Sequence, residues 1–218
     1  MMDSFGRKNA GKEVTTEAFE EHVASTGKKL GDYQRNSQVF AMTCSAIQAF
    51  DEQRDKTLIV YGTSDDESAN RLTAEALQEV IRTHWSNQIV PIKSDKDVSD
   101  DELRNHHLLL IGRPDTNRIV EAFRDHWPVK FGARSFTVRG ETYAHAGSAV
   151  LTAAANPLNP RYSAVILAGL SAEATTRTPE AIYRKECEGA DVLILPHGGR
   201  IRAMVAPAPK TANASKAK

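Results

Sequence analysis

Two segments of the sequence repeat one polar pattern whose side chains could bind an anion. LIVYGTSDDESANR (58–71) and LLLIGRPDTNR (108–118) each run from an aliphatic stretch through glycine and aspartate to an Asn–Arg pair. Hydroxyl, amide and guanidinium groups donate hydrogen bonds to anions, and the free N–H groups at the start of a helix do the same. The repeat therefore predicts a site for a small anionic ligand. Its candidate residues are Gly62, Thr63, Ser64, Asn70, Arg71, Gly112, Arg113, Asn117 and Arg118.

The sequence leaves a structural role for the same residues open. The two glycines can make tight turns, Asp115 can cap a helix, and each Asn–Arg pair can hold its loop to the neighbouring strand.

Nucleotide-binding motifs are absent from the sequence. The first turn reads GTSDDES instead of GxGxxG, and no GxxxxGK run followed by Ser or Thr is present. Because the acids of the first turn would also repel a phosphate, we predict no nucleotide, flavin or other cofactor.

Motifs for nucleophilic catalysis are absent as well, with one alternative. The chain contains no GxSxG, the turn that exposes the nucleophile of α/β-hydrolases. The nearest arrangement is Ser171 in LAGLSAE with His197 in LPHGG and Asp191 as the acid, which would make a small serine hydrolase of the esterase or peptidase kind. Ser171 also fits the N-cap of the helix that follows it, and we favour that role.

The histidines and cysteines do not follow a metal-binding pattern. The seven histidines show neither HExxH nor HxH spacing. Cys44 and Cys187 lie far apart in the sequence and belong to no CxxC motif. We therefore predict no bound metal and no disulfide framework.

The elements that position these residues alternate between strand and helix. Strands are predicted at 58–61, 88–92, 107–112, 149–154, 163–169 and 191–195. The first helix is predicted to begin at Ser68, with Leu72, Ala76, Val80 and His84 recurring at intervals of four and Leu77 and Ile81 beside them. Ser99 is predicted to cap a short helix, and Asp115 a helix that runs to about residue 126. Pro91 predicts an edge position for the strand at 88–92.

This alternation predicts an α/β fold of the flavodoxin-like, doubly wound type, with a mainly parallel sheet. The segment PVKFGARSFTVRGETYAHAGSAV (128–150) changes to an alternating pattern with a turn at Gly140, which predicts an inserted β-hairpin. A strand order of 2-1-3-4-5 would make the first and third strands neighbours. The glycine turns at Gly62 and Gly112 would then face each other at the carboxyl edge of the sheet.

Composition limits the partners and the domain organisation. Lys plus Arg and Asp plus Glu each number 28 in the 218 residues, so no net charge attracts nucleic acid. No long apolar run and no signal peptide are present, so we expect no membrane partner and a cytoplasmic location for the chain as given. We predict a polar N-terminal arm or remnant of an upstream module at 1–44, an α/β domain at 45–205 and a disordered tail at 206–218.

Four segments carry a resemblance to a known family. They are SAIQAFDEQRDKTLIVYGT (45–63), LLLIGRPDTNR (108–118), the 128–150 hairpin and NPLNPRYSAVILAGLS (156–171). With these segments the chain resembles the C-terminal accessory region of bacterial prolyl-oligopeptidase-like and esterase-like α/β-hydrolases. In those proteins the module with the catalytic serine lies upstream, whereas the 44 residues that precede this region here contain no GxSxG. The resemblance implies a non-catalytic accessory or interaction domain, with a hydrolase module or a second copy of the chain as its partner.

Overall fold

The computed structural model of the protein describes residues 46–86 and 88–205. The arm or remnant predicted at 1–44 and the tail predicted at 206–218 lie outside the described residues. The described strands, in chain order, are β1 (Thr57–Tyr61), β2 (Ile92–Ser94), β3 (His107–Ile111), β4 (Lys130–Gly132), β5 (Ser135–Val138), β6 (Glu141–Tyr143), β7 (Ala149–Ala155), β8 (Ser163–Gly169), β9 (Val192–Leu195) and β10 (Arg202–Met204). The α-helices are α1 (Glu67–His84), α2 (Asp100–Asn105), α3 (Arg118–Ala122) and α4 (Ala172–Thr176). Short 3₁₀ helices span Ala49–Lys56, Arg124–His126, Pro179–Ala181 and Lys185–Cys187.

Within the described residues, seven strands form a mostly parallel central sheet in the order β10-β9-β7-β8-β3-β1-β2. The pairs β1–β2, β1–β3 and β3–β8 are parallel, so β1 and β3 are neighbours as predicted. The order departs from 2-1-3-4-5 beyond β3, because β7 pairs antiparallel with both β8 and β9, and β10 pairs antiparallel with β9. The short connection NPLNPR between β7 and β8 explains this, since a parallel crossover needs a dozen or more residues.

Helices cover both faces of the central sheet. Side chains along each strand alternate between the two faces. On one face Ile59 packs in a core cluster with Leu77 of α1, and α4 belongs to the same layer. On the other face Leu110 packs in a second cluster with Val120 of α3, and α2 lies beside it. The result is a three-layer α/β arrangement with buried strands at its centre.

A separate three-stranded antiparallel sheet, β4-β5-β6, confirms the hairpin predicted at 128–150. It covers the end of the central sheet that lacks α2 and α3. Phe136 and Val138 of this small sheet pack in one cluster with Val150, Val192 and Ile194 of β7 and β9. The alternation of apolar and polar residues in β5 therefore has its physical cause in this one-sided packing.

The first helix begins before the residue predicted as its cap. Glu67 is its first residue, and the N-cap Asp66 has a φ of 53° and no side-chain cap. Leu72 is 61% exposed, so the predicted stripe through Leu72 is wrong. The predicted Leu77 and Ile81 are buried, and the other buried residues of the helix are Asn70, Thr73 and Ala74.

The next two helices have side-chain caps. Ser99 forms the predicted cap of α2, in a capping box with Glu102. The cap of α3 is Asn117 rather than Asp115, because the Asn117 Oδ1 accepts hydrogen bonds from the N–H groups of Ile119 and Val120. The predicted helix to residue 126 is also divided, since α3 ends at Ala122 and a 3₁₀ turn follows.

No helix among residues 46–86 and 88–205 is both long and apolar enough to cross a membrane. The edge position predicted for the strand near Pro91 is confirmed, because β2 is an outer strand of the central sheet. Its bounds, Ile92–Ser94, lie later in the chain than the predicted 88–92.

Protonation of His107 should destabilise the folded protein as the pH falls from 6.5 to about 4. Its Nδ1 accepts a hydrogen bond from the N–H of Ser163 (2.9 Å), so protonation of Nδ1 would oppose that donor. Burial, with a smaller contribution from His106, lowers the pKa of His107 to about 4. A group with a lowered folded-state pKa favours the folded protein above its unfolded pKa of about 6.5 and loses this contribution as the pH falls towards 4.

The measurement is urea unfolding of the wild type and of His107→Asn, whose Oδ1 can still accept from Ser163, at pH 7 and pH 4.5. The wild type should lose about 2 kcal/mol more than the variant over this range. The exposed His197→Asn is the control and should follow the wild type. Equal losses in wild type and His107→Asn would contradict the assignment.

Candidate functional site

The two glycine turns lie side by side and touch. The N–H of Gly62 donates to the carbonyl of Ile111 (3.1 Å), and the N–H of Ser64 donates to the carbonyl of Thr116 (3.1 Å). A Cβ on Gly62 would lie 2.1 Å from the Thr116 oxygen and 2.7 Å from the Cα of Asn117. The backbone of one loop therefore packs directly on the other, and only glycine fits at this position.

Asn117 joins the two strands that carry the turns. Its Nδ2 donates to the carbonyls of Val60 (3.3 Å) and Ile111 (3.0 Å), and its Oδ1 caps α3. The side chain is fully buried. Because all of its hydrogen-bonding capacity in this position is directed to the protein's own backbone, Asn117 acts as a bridge between β1 and β3.

Asn70 has a related role in the first loop. Its Nδ2 donates to the carbonyls of Gly62 (3.0 Å) and Asp65 (3.1 Å). Gly112 lies against it with a φ of 109°, and a Cβ there would meet the Thr116 Oγ1 at 2.4 Å. Both Asn residues of the repeated pattern thus hold the loops in place.

Asp95 connects the two loops, although no sequence motif singles it out. Its Oδ1 accepts a hydrogen bond from the Thr63 hydroxyl (2.7 Å), and its Oδ2 accepts one from the N–H of Arg118 (2.9 Å). The Arg118 Nε donates to the backbone carbonyl of the same aspartate. Asp95 is fully buried. The structure therefore places a carboxylate of the protein itself where the donors of the two loops converge.

One signal could have identified Asp95. The carboxyl ends of parallel strands meet at one edge of a sheet, so an aspartate directly after β2 belongs to the same edge as the glycine turns. The predicted end of that strand at residue 92 falls two residues before the observed end at Ser94. With the correct end, Asp95 would follow the strand immediately.

Of the remaining predicted donors, Arg71 and Ser64 are exposed, whereas Arg113 is mostly buried. The Arg71 Nε pairs with the Glu75 carboxylate (3.1 Å) along α1. The Arg113 Nη2 pairs with Asp115 (3.0 Å), and the Arg113 side chain is only 13% exposed. The backbone N–H of Ser64 contacts the second loop, while the residue as a whole is exposed.

The three residues of the serine-hydrolase alternative are not assembled. The Ser171 Oγ caps α4 by accepting a hydrogen bond from the N–H of Ala174 (3.1 Å). Asp191 precedes β9 and His197 follows it, so the length of the strand, about 13 Å for four residues, separates the acid from the imidazole. A triad needs these groups in hydrogen-bond contact.

His197 has another histidine as its neighbour. Its ring stacks on His145 with the centroids 3.8 Å apart and the planes 8° from parallel. Gly147 makes room for this pair, because a Cβ there would lie 2.5 Å from the His197 Nδ1. The N–H of Gly147 also donates to the His145 Nδ1 (3.0 Å). The pair lies beside the start of β7, which separates the ends of β8 and β9.

The described ranges contain no group of three or more His, Cys, Asp or Glu side chains that could hold a metal ion. Cys187 is buried, and burial raises the pKa of its thiol to about 12. A thiol with this pKa carries almost no thiolate at neutral pH, so Cys187 is a packing residue rather than a nucleophile.

No protein-family model matches the chain, and a search of curated proteins finds no significant match. The three-layer fold and the geometry of its carboxyl edge therefore carry the functional argument.

Proposed function

We propose that the α/β domain is a non-catalytic accessory or interaction domain associated with a hydrolase. The observation that supports this most is the use of polar side chains at the carboxyl edge of the sheet. Asn117, Asn70 and Asp95 bind the two loops to each other, and Ser171 caps a helix. These groups serve the architecture. The Ser171 Oγ is used as a helix cap, and in the part of the chain that the structure describes the serine Oγ that contacts an imidazole belongs to the buried Ser163, 2.8 Å from the His107 Nδ1.

The association with a hydrolase rests on the sequence resemblance. The segments at 45–63, 108–118, 128–150 and 156–171 resemble the accessory region that follows the catalytic module in prolyl-oligopeptidase-like and esterase-like enzymes. The partner is accordingly a hydrolase module, and a second copy of the chain is the other candidate.

The proposal includes a flavodoxin-like, doubly wound fold for the domain. The order β2-β1-β3, parallel and with helices on both faces, supports a relationship to flavodoxin-like, doubly wound folds. The antiparallel β7 between β8 and β9 is the point at which this domain departs from that pattern.

A small anion at the two loops is the second part of the proposal. It is supported by the exposed Ser64 and by Arg113, whose mostly buried side chain pairs with the exposed Asp115. Asp95 already accepts the inner donors, so an external anion would bind outside it and compete with Asp115 for Arg113.

A fluorophosphonate probe tests the non-catalytic role, because this reagent labels activated serines. The intact chain should show no labelling above that of Ser171→Ala, since the Ser171 Oγ caps α4 and forms no hydrogen bond with a histidine within residues 46–86 and 88–205. An active serine hydrolase in the same reaction is the positive control, and Thr176→Ala is the matched variant of the neighbouring hydroxyl. Labelling that disappears in Ser171→Ala would establish the serine-hydrolase alternative instead.

The same probe tests the association. When the protein is expressed with an affinity tag in the organism that encodes it, it should co-purify with a second protein that the fluorophosphonate labels. Self-labelling of the chain with no labelled companion would contradict both parts of the proposed role.

A further inference from the structure

A pocket of about 340 Å³ opens at the carboxyl edge of the central sheet, beside the end of β9. Its walls come from α4 and the Pro179–Ala181 turn on one side and from the segment after β9 on the other. The strands β7 and β8 lie between β9 and β3, so the pocket is separate from the loops at Gly62 and Gly112. Its volume falls within the range of small-molecule sites.

Part of the pocket lining is apolar. Leu195 and Ala181 are buried core residues, Pro196 and Ile201 are half-buried, and all four line the pocket beside its polar residues. These four side chains offer no hydrogen bonds, so a ligand in the pocket can bury an apolar part against them.

The rim of the pocket is charged. Arg177 and Arg184 line it together with Glu180, and all three are exposed. The Arg177 Nη1 donates to the carbonyl of Gly147 (3.3 Å). Within residues 46–86 and 88–205 neither arginine forms an ion pair, whereas Arg71, Arg113 and Arg124 are each paired with a carboxylate. The two guanidinium groups at the rim thus keep donors available for an anion.

We propose that this pocket binds a small organic monocarboxylate. The carboxylate lies at the rim, where a guanidinium fork matches its two oxygens, and the apolar body contacts Leu195 and Ile201. Glu180 opposes one of the two positive charges. A singly charged anion with an apolar body therefore fits better than inorganic phosphate, which carries more charge and has no apolar part.

Isothermal titration of the full chain with benzoate and hexanoate tests the proposal, with the neutral isostere benzamide as the comparison ligand. Benzoate should bind saturably and more tightly than benzamide. Arg177→Gln combined with Arg184→Gln should weaken benzoate by about threefold to tenfold, because both arginines are exposed and water screens their charge. Arg82→Gln combined with Arg124→Gln is the matched control and should leave the affinity unchanged.

Glu180→Gln should change the benzoate affinity in the opposite direction. Removing the repulsion between Glu180 and the bound carboxylate should tighten benzoate by about twofold to threefold, because exposed charge pairs contribute only tenths of a kcal/mol. The proposal is overturned if neither carboxylate binds saturably or if benzamide binds as tightly as benzoate. Equal losses in the rim and control double variants would overturn it as well.

Discussion

Gly62→Ala should lower the free energy of unfolding by about 3–5 kcal/mol, one of the largest single-residue effects expected in this domain. The new Cβ would lie 2.1 Å from the Thr116 carbonyl oxygen and 2.7 Å from the Asn117 Cα. Both are backbone atoms, and Asn117 is held by its bonds to Val60 and Ile111. The loop cannot move aside without breaking the bridge between β1 and β3.

Urea unfolding followed by circular dichroism measures this loss. Gly132→Ala is the matched control in β4. A Cβ there would lie 2.8 Å from the Ser135 Oγ, the end of a side chain that can rotate away, and 3.7 Å from the Ser135 carbonyl oxygen, an ordinary van der Waals contact. The control should lose less than about 1 kcal/mol. A Gly62→Ala variant as stable as this control would mean that the two loops are not in contact and that space for a ligand exists between them.

Asp95→Ala should lower the free energy of unfolding by about 3 kcal/mol. The change removes the acceptor of the Thr63 hydroxyl and of the Arg118 N–H, and it leaves both donors facing an apolar side chain. Asp97→Ala is the matched control in the same loop. Asp97 is exposed and accepts a hydrogen bond from Ser94, so its loss should cost less than about 1 kcal/mol.

A small carboxylate added to the buffer should restore part of the stability that Asp95→Ala loses. Formate at 100 mM, compared with the same concentration of chloride, should raise the melting temperature of Asp95→Ala and leave Asp97→Ala unchanged. This result would show that the two loops form an anion site that Asp95 fills from within. A loss in Asp95→Ala no larger than in Asp97→Ala would contradict the bridging role.

The wild type in the same experiment tests the external anion proposed at the loops. Phosphate or sulfate should raise its melting temperature, and Arg113→Ala should remove the rise while Arg71→Ala retains it. A wild type that responds to no anion would leave Asp95 as the anion of these loops and would remove the external ligand from the proposed function.

Features that depend on neighbouring residues were predictable from the sequence. The cap at Ser99 needs only Glu102 three residues later, and the hairpin at 128–150 needs only alternation and a turn. The adjacency of β1 and β3 followed from the general behaviour of parallel α/β sheets. The caps at Ser68 and Asp115 were wrong because several polar residues near each helix start could serve, and the backbone path selects among them.

The amino-acid sequence by itself determined the α/β class, the strands that end in glycine turns and the small antiparallel sheet, since these follow from periodicity and turn chemistry. Only the tertiary structure decided that the turns touch, that Asp95 bridges residues 32 and 23 positions away, and that β7 runs antiparallel between β8 and β9. The pocket beside β9 also became visible only in the tertiary structure. The physical reason is that these features join residues far apart in the chain, whose approach depends on strand order and packing rather than on local preference.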